Sequence, residues 1–432
     1  MKQSVRYRLA HRTPFFYGWV VVAGAFLGTF AGGGMQSFTF GVFIKPMAES
    51  LGWTRAAMTG ALTVRTLTAS ALGPVFGPLV DRRGPQPLMV AAAIAGGSAC
   101  LLLSRIQVLW QFYIIFAFVG MSGGAGLGGL VAQATVAKWF IQRRGRATAF
   151  STMGNTAAGA ILAPVIGFLI LNSDWRAAWL FMAGIFFFLL LPASLLMVRQ
   201  PEDLGLLPDG AKSQEEAQAA HRRRTGHQSE YSWHLREALR TRALWLLSIS
   251  LVVAGFSVAS VVVHEFSYIT DRDFSTGVAA AVLSTHAVVA SMGRLVWGFL
   301  VERFHVRYCM AVLYLGSALG VGILLVASSI PMMFLFAVVY GISVGGHAVL
   351  SSVAWADYFG REFVGTIRGV LTPVTTGSVA VGPILVGLNY DITGDYFRAY
   401  VVLMALFLLG AVLVMFAKPP VKTEAPTSAA TV

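Results

Sequence analysis

Residues 77–82 read Gly-Pro-Leu-Val-Asp-Arg, and residues 298–303 read Gly-Phe-Leu-Val-Glu-Arg, so one pattern recurs 221 positions along the chain. A second pattern keeps this offset, because Asp174-Trp-Arg-Ala-Ala-Trp179 returns as Asp395-Tyr-Phe-Arg-Ala-Tyr400. A third match, between Arg146 and Arg368, has an offset of 222. A nearly constant offset indicates that the chain consists of two related halves.

The composition predicts a membrane protein. The 432 residues are 56% hydrophobic and 12% charged, and their mean hydropathy is +0.70. A soluble globular chain has about 25% charged residues, so this chain cannot cover the surface of a water-soluble fold. We therefore exclude a soluble enzyme, a disordered chain and a nucleic-acid module. The two cysteines, Cys100 and Cys309, lie in apolar runs and offer neither a metal-binding spacing nor a disulfide framework.

Twelve apolar stretches are long enough for transmembrane helices, which need about 20 residues each. They lie at 16–42, 56–80, 87–104, 109–137, 147–171, 177–198, 243–269, 276–301, 307–327, 331–356, 369–390 and 397–417. The start of the chain is basic, like that of a signal peptide. Its apolar run nevertheless continues through Phe43 without a clear cleavage site, so we expect an uncleaved first span.

The basic residues are distributed unequally between the two sides of the predicted membrane. Segments on the side of the two termini contain 24 of the 32 Lys and Arg residues, and segments on the other side contain six. Because cytoplasmic loops retain positive charge, both termini are predicted to be cytoplasmic. The net charge of +13 then reflects topology and requires no nucleic-acid partner. The two remaining basic residues, Arg65 and Arg294, lie inside spans.

The predicted fold class is an all-α membrane protein with 12 transmembrane helices in two six-helix bundles. The bundles comprise residues 1–198 and 243–417, with a cytoplasmic linker at 199–242 and a cytoplasmic tail at 418–432. Parallel repeats of this kind are typical of transporters that bind substrate near the midplane and rock one half against the other. The linker is either a plain tether on the anionic leaflet or a regulatory element.

Two groups of motifs carry a family resemblance. The loop Gly77-x-Leu79-x-Asp81-Arg82-x-Gly84 resembles the signature of the major facilitator superfamily, and the likeness covers essentially the whole chain. Tyr17-Gly-Trp-Val-Val-Val22 and Trp139-Phe-x-x-Arg-Arg-Gly-x-Ala147 resemble the monocarboxylate transporter family and its bacterial relatives, including oxalate–formate-type antiporters. The resemblance implies a major facilitator fold and a transport function.

The repeated pattern contains a candidate conformational latch. Carboxylates at Asp81 and Glu302 can accept hydrogen bonds at the N-terminus of a neighbouring helix, or pair with a basic residue across the cytoplasmic face. With Arg82 and Arg303, they are predicted to latch the outward-open state of the transporter and to separate when the halves rock. The alternative is that the arginines only determine topology.

Arg294 is the main candidate for substrate binding. It lies 8 residues before Glu302, hence about 12 Å along a helix and near the midplane of a core about 30 Å thick. A guanidinium at this depth suits a carboxylate, which it can hold through two parallel hydrogen bonds. The alternative is a buried arginine bonded to backbone carbonyls or to another helix. The family resemblance implies that Arg294, with Gly298 after it, contacts the substrate carboxylate.

The proton carrier is less clear from the residues. The family resemblance implies an aspartate one turn before the arginine and a lysine in the first span, but this chain has Ala290 and Phe38 there. Both departures leave the choice between proton symport and anion exchange open. His264 is the first candidate for proton coupling, because histidine titrates near physiological pH.

Glu265 and His286 are the further candidates for proton coupling. Glu265 is adjacent to His264 in the chain, and it can alternatively pair with an outer basic residue. His286 corresponds to Arg65 at the offset of 221. These two residues could form an outer basic vestibule that attracts anions, or could serve the structure only.

Mid-span polar residues complete the predicted pocket. Gln133, Asn155 and Tyr340, together with His264, are candidates for substrate binding, and the alternative for each is interhelical packing. Met35, Phe38 and Phe40 are candidates for the apolar wall of the pocket, and the alternative for each is again interhelical packing.

The sequence thus predicts a secondary transporter, not an enzyme, for a small monocarboxylate such as lactate or pyruvate. Proton symport is the favoured mode, in a multi-pass protein of the inner (plasma) membrane. The partners are the monocarboxylate, a proton and membrane lipids, with no cofactor, metal or nucleic acid. One alternative is an organic-anion exchanger without proton coupling. An alternative of another class is a non-transporting membrane receptor that senses a carboxylate.

Overall fold

A computed structural model describes residues 5–35, 37–122, 129–225 and 232–420, and these residues form helices without any strand. Nine helical stretches among them are long and apolar enough to cross a membrane. Gly18–Gly33 and Leu109–Ser122 are shorter apolar helices. The all-α class and the multi-pass membrane character are therefore confirmed. Parts of the predicted fourth span, linker and tail, at 123–128, 226–231 and 421–432, lie outside the described residues, as does the side chain of Phe38.

The first half of the chain, up to residue 195, contains eleven described helices. Their bounds are α1 Val5–Arg12, α2 Gly18–Gly33, α3 Ser37–Leu51, α4 Arg55–Ala71, α5 Gly73–Arg83, α6 Pro85–Leu103, α7 Leu109–Ser122, α8 Gly129–Trp139, α9 Arg144–Asn172, α10 Trp175–Gly184 and α11 Leu191–Leu195.

The linker contains α12 Gln214–Thr225 and α13 Leu235–Ala238. The second half contains the remaining helices. These are α14 Arg242–Thr270, α15 Thr276–Arg303, α16 Val306–Val326, α17 Ile330–Gly345, α18 His347–Phe359, α19 Val364–Thr393 and α20 Phe397–Phe416.

Several predicted apolar stretches are interrupted. Leu72 both ends α4 and precedes α5, where Pro74 has no N–H to continue the helical ladder. A π-helical segment, Ile185–Leu190, joins α10 to α11. The first predicted stretch stops at 42, whereas α3 continues to Leu51. This extension is amphipathic, and Lys45 and Glu49 lie 3.9 Å apart on its exposed face.

Glycines bring the two halves into close contact. A Cβ at Gly77 in α5 would lie 2.2 Å from the carbonyl oxygen of Gly365 in α19. A Cβ at Gly145 in α9 would lie 2.1 Å from the carbonyl oxygen of Gly298 in α15. Only glycine permits such approaches. Both contacts lie at the end of the molecule that carries Asp81, which we call the Asp81 end and which is the predicted cytoplasmic end.

Candidate functional site

Asp81 joins the two halves. Its side chain is 4% exposed, and its Oδ1 lies 2.7 Å from Nζ of Lys138 in α8. Its Oδ2 accepts hydrogen bonds from the backbone N–H and Oγ1 of Thr366, at 2.6 and 2.8 Å. The carboxylate therefore caps the N-terminus of α19, where the helix dipole favours negative charge. The predicted contact with a neighbouring helix N-terminus is present.

Glu302 makes the equivalent contact from the other half. It accepts hydrogen bonds from the backbone N–H and from Nε of Arg146 at the start of α9, at 2.9 and 2.8 Å. The predicted arginines do not take part in either network. Arg82 and Arg303 are exposed, and neither side chain forms an ion pair with a described residue. Lys138 and Arg146 are the basic partners instead, and sequence analysis assigned them no such role.

Two further ion pairs strengthen the Asp81 end. Nη1 of Arg144 lies 2.6 Å from Oδ1 of Asp357 in α18. Nη2 of Arg361, in the loop before α19, donates to Oε1 of Glu202 at 2.6 Å, and its Nη1 donates to the carbonyl of Lys138 at 2.9 Å. Arg144 and Asp357 belong to different halves, and Arg361 of the second half contacts both the linker and Lys138 of the first half. Separation of the halves at this end must therefore break the Arg144–Asp357 pair and the Arg361–Lys138 contact.

The linker binds the loops that precede α9 and α19. The carboxylate of Asp209 accepts hydrogen bonds from the backbone N–H groups of Ile141, Gln142 and Arg143, at 2.9, 2.8 and 3.2 Å. At the other end of the linker, the Trp233 N–H donates to the Phe359 carbonyl at 2.9 Å. The linker is therefore docked on the first half at Asp209 and on the second half at Trp233.

Arg294 reaches from α15 across to α9. Its Nη1 donates to Oγ1 of Thr156 at 2.8 Å and to the carbonyl of Thr152 at 3.4 Å. Its Nε is buried without a hydrogen-bond partner among the described residues, and none of their ion pairs involves this guanidinium. Its partners among the described residues, Thr152 and Thr156, are neutral and belong to the opposite half. Asn155 faces another way, since a Cβ added to Gly33 of α2 would lie 2.7 Å from its Oδ1.

Gln133 is engaged by a second arginine. Its Oε1 accepts a hydrogen bond from Nη2 of Arg368 at 2.6 Å, and Nη1 of Arg368 donates to Oγ of Ser352 at 3.0 Å. Arg368 directly precedes the predicted eleventh span, 369–390, but in the structure it lies within α19, one turn after the helix start at Val364. The sequence signal for this role was its match with Arg146, which also contacts the opposite half.

Glu265 and His286 form a buried pair. Oε2 of Glu265 in α14 lies 2.8 Å from Nδ1 of His286 in α15, and the side chains are 1% and 9% exposed. Tyr340 is 0% exposed, and its ring centroid lies 5.2 Å from that of His286. His286 is buried against an acid, which argues against the alternative of an outer vestibule with Arg65. The structure brings together Glu265, His286 and Tyr340.

His264 makes two contacts of its own. Its Nε2 lies 2.9 Å from the carbonyl of Pro383 in α19, and its Nδ1 lies 3.3 Å from the Tyr396 hydroxyl. Because a carbonyl only accepts, Nε2 carries the hydrogen. Burial raises the pKa of Tyr396, so its hydroxyl keeps a proton to donate to Nδ1. These contacts satisfy both ring nitrogens.

The predicted apolar wall belongs to the interior of the first half. Met35 is 1% and Phe40 0% exposed. The ring of Phe40 packs edge-on against Phe116 of α7, with centroids 5.2 Å apart. Phe40 is therefore a packing residue in the core of these helices, because its aromatic neighbours enclose it.

Comparison with known proteins gives a consistent family assignment. The family model of the Major Facilitator Superfamily matches residues 25–293 and 268–431. Monocarboxylate transporter 1 of Mus musculus is 24% identical over 406 residues, which cover 89% of this chain and 81% of that protein. Monocarboxylate transporter 12 of Rattus norvegicus is 26% identical over 430 residues, with coverage of 93% and 85%.

Solved structures show the same fold. The proton:xylose symporter XylE bound to 6-bromo-6-deoxy-D-glucose has a TM-score of 0.72 at 13% identity, covering 93% of this chain and 96% of that one. The human organic anion transporter MFSD10 (TETRAN) has a TM-score of 0.69 at 16% identity, with coverage of 93% and 100%. At such low identity, the similarity concerns the fold alone.

Proposed function

The chain belongs to the Major Facilitator Superfamily, and we propose that it carries a small monocarboxylate, such as lactate or pyruvate, across the inner (plasma) membrane. It is a membrane transporter related to monocarboxylate transporters, and not an enzyme. The proposed mode is proton symport by alternating access. The proposed topology is twelve spans in two six-helix bundles, 1–198 and 243–417, with both termini cytoplasmic.

The proposal rests on the environment of Arg294. An ionisable residue inside a span is costly, and is retained where it has a function. Nη1 of Arg294 is bound to Thr156, while its Nε is buried and free of partners among the described residues. A carboxylate can occupy the Nε edge of the guanidinium through two parallel hydrogen bonds. In the proposal, the negative charge of the carboxylate offsets the positive charge of the guanidinium. This neutralisation lowers the free-energy barrier to rocking of the two halves.

The networks at the Asp81 end support alternating access. Asp81 and Glu302 each cap a helix of the opposite half, and glycines at 77 and 145 permit backbone contact beside them. In the proposal, these contacts keep the two halves together at the Asp81 end. In the proposed cycle they hold the outward-open state, and they break when the halves rock to expose Arg294 to the cytoplasm. In this proposal Asp81 and Glu302 are the latch, with Lys138 and Arg146 as partners.

Uptake into proteoliposomes tests the proposal. Labelled lactate and pyruvate are expected to enter faster than into protein-free liposomes, and faster still with an acidic exterior. Arg294→Ala and Arg294→Lys are expected to abolish this uptake, because neither side chain offers the planar fork. Lys45→Ala, which removes an exposed charge from α3, is the matched control. Unchanged lactate uptake by Arg294→Ala would contradict the proposal.

Two other outcomes identify the alternatives. Counterflow driven by internal substrate, with no response to pH, would favour an organic-anion exchanger. Carboxylate binding without any flux would favour a receptor.

A further inference from the structure

Glu265 is a buried acid that is only half satisfied. Its Oε2 contacts Nδ1 of His286 at 2.8 Å, and its side chain is 1% exposed. Its Oε1 is buried and has no hydrogen-bond partner among the described residues. Burying an unpaired polar atom is unfavourable, and burying a carboxylate charge is more so. The fold therefore retains an acid at a place where an additional proton would be favourable.

The surroundings of Glu265 are titratable, but no Lys or Arg of the described part of the chain forms an ion pair with it. His286 faces it from α15, Tyr340 from α17 and Tyr400 from α20. On α14 itself, Tyr268 follows one turn later and stacks on Tyr400 with ring centroids 4.4 Å apart. The hydroxyls of Tyr340 and Tyr400 are buried without partners among the described residues. These groups can share a proton, whereas a divalent metal ion would require more oxygen or nitrogen ligands than the cluster provides.

We propose that the Glu265–His286 pair is the binding site of the transported proton. This inference rests on the proposed transport function and assigns its second substrate to a site. Without the extra proton, neutral His286 donates its Nδ1–H to the Glu265 carboxylate, and the pair carries a charge of −1. One proton from water on the outer side binds the pair and makes it neutral, and the same proton leaves to water on the other side. No other bond is made or broken.

Exposure indicates the route of that proton. The His286 side chain is 9% exposed, against 1% for Glu265. In the proposed route the imidazole takes up the proton first and relays it to the carboxylate through the 2.8 Å contact. His264 is a poorer carrier despite its position next to Glu265, because its Nε2 is bound to the Pro383 carbonyl and its Nδ1 to the Tyr396 hydroxyl.

The proton site and the substrate site share one helix. His286, Ala290 and Arg294 follow at intervals of four residues on α15, so they lie on one face and about 12 Å separates the two charged sites. Glycines fix this helix to α17, since a Cβ at Gly345 would lie 2.2 Å from the Ala290 carbonyl oxygen. The two sites therefore move together.

Charge counting then couples the two substrates. When both sites are empty, the Glu265–His286 pair carries −1 and Arg294 carries +1. When a proton is bound to the pair and a monocarboxylate to Arg294, each site has a net charge of zero. If only one substrate is bound, a net charge must cross the membrane, which is unfavourable. The geometry thus favours joint transport of one proton with one monocarboxylate.

The test uses Glu265→Gln in proteoliposomes, with lactate as the probe. The amide oxygen can still accept from His286 Nδ1–H, but the side chain cannot take up a proton. With an exterior one pH unit more acidic, the driving force for one proton corresponds to about a tenfold accumulation. We expect wild-type uptake, after subtraction of protein-free liposomes, to be stimulated by this gradient and Glu265→Gln uptake not to be. Counterflow of labelled lactate should be retained by the variant.

Each outcome decides between the hypotheses. Absence of lactate counterflow in the wild type would contradict the proposed function itself. The proton site would be overturned if the wild type responds to pH and Glu265→Gln responds equally. It would also be overturned if His264→Gln loses the pH response while Glu265→Gln keeps it. If Glu265→Gln loses counterflow as well as the pH response, the same two measurements are made on His286→Gln. Retained counterflow without pH stimulation supports the site, and loss of counterflow in both correctly folded variants overturns it. Glu49→Gln, an exposed acid in α3, is the matched control.

Discussion

Asp81 in α5 accepts two hydrogen bonds from Thr366 in α19, at 2.6 Å from the backbone N–H and 2.8 Å from Oγ1. Glu302 in α15 repeats this relationship with Arg146 in α9, at 2.9 and 2.8 Å. The two acids are 221 residues apart. Each half therefore caps a helix of the other half, and the internal repeat of the sequence appears as a reciprocal contact in the structure.

Replacement of Asp81 should open the Asp81 end. In Asp81→Asn, Lys138 remains buried at 3% side-chain exposure without its counter-charge, and breaking a buried ion pair costs about 3–5 kcal/mol. We expect the population to shift away from the state closed at this end. A Thr372→Cys reporter should then react faster with a maleimide, because Thr372 accepts a hydrogen bond from Ser70 at the contact between the halves. Cys100 and Cys309 are buried and should contribute little background.

The control for this experiment is Arg83→Gln. Arg83 is exposed two residues after Asp81, so its loss should leave the reporter rate unchanged. Equal reporter rates in Asp81→Asn and Arg83→Gln would show that Asp81 does not hold this end closed.

A methyl group at Gly77 should prevent closure of the same end by sterics alone. A Cβ there would lie 2.2 Å from the Gly365 carbonyl oxygen, far inside van der Waals contact. Gly77→Ala is expected to accelerate labelling of the Thr372→Cys reporter and to slow transport. Gly377→Ala is the matched control, since a Cβ at Gly377 meets nothing within 4 Å. Normal transport and labelling in Gly77→Ala would contradict the close approach of α5 and α19.

The linker should contribute to stability. Asp209 accepts three backbone N–H groups before α9, and loss of an N-terminal cap costs about 0.5–2 kcal/mol. Asp209→Ala is therefore expected to lower the thermal unfolding midpoint in detergent, whereas Glu215→Ala, at an exposed position of α12, should not. An unchanged midpoint for Asp209→Ala would favour the plain tether.

Gln133 should stabilise the folded protein through its hydrogen bond with Arg368. In Gln133→Leu, Nη2 of Arg368 loses the acceptor that lies 2.6 Å away, and a buried donor left unpaired costs about 1–3 kcal/mol. We expect a lower unfolding midpoint than in Gln107→Leu, where the replaced amide is exposed. If the two variants have the same thermal unfolding midpoint, the contact between α8 and α19 adds no stability.

The sequence predicted the helices better than it predicted the side-chain contacts between them. Composition and apolar stretches identified the helical membrane class, and the repeated pattern located Asp81 and Glu302 where the halves meet. Lys138 could not be recognised as the partner of Asp81, because 57 residues separate them in the chain and only helix packing brings them together. The same holds for Glu265 and His286, which lie on different helices. The predicted eleventh span starts only after Arg368, because a charged residue lowers the local hydropathy, although Arg368 lies inside α19.

The interruptions of the helices also escaped prediction. A hydropathy pattern records which residues are apolar but not where the backbone ladder breaks. The break at Leu72 lies beside Pro74, which has no N–H to continue the ladder, and in the π-helical segment after Gly184 the rings of Phe186 and Phe187 pack over Gly96 and Gly97.

Binding of a carboxylate to Arg294 is the central claim, and equilibrium binding to the purified protein tests it most directly. Dissociation constants of lactate and of uncharged lactamide should be measured for the wild type, Arg294→Ala and Lys45→Ala. A hydrogen bond to a charged group contributes about 1.5–3 kcal/mol, so we predict that the wild type and Lys45→Ala bind lactate at least about tenfold more tightly than lactamide. Arg294→Ala should lose this preference. An undiminished preference for lactate in Arg294→Ala would contradict the account.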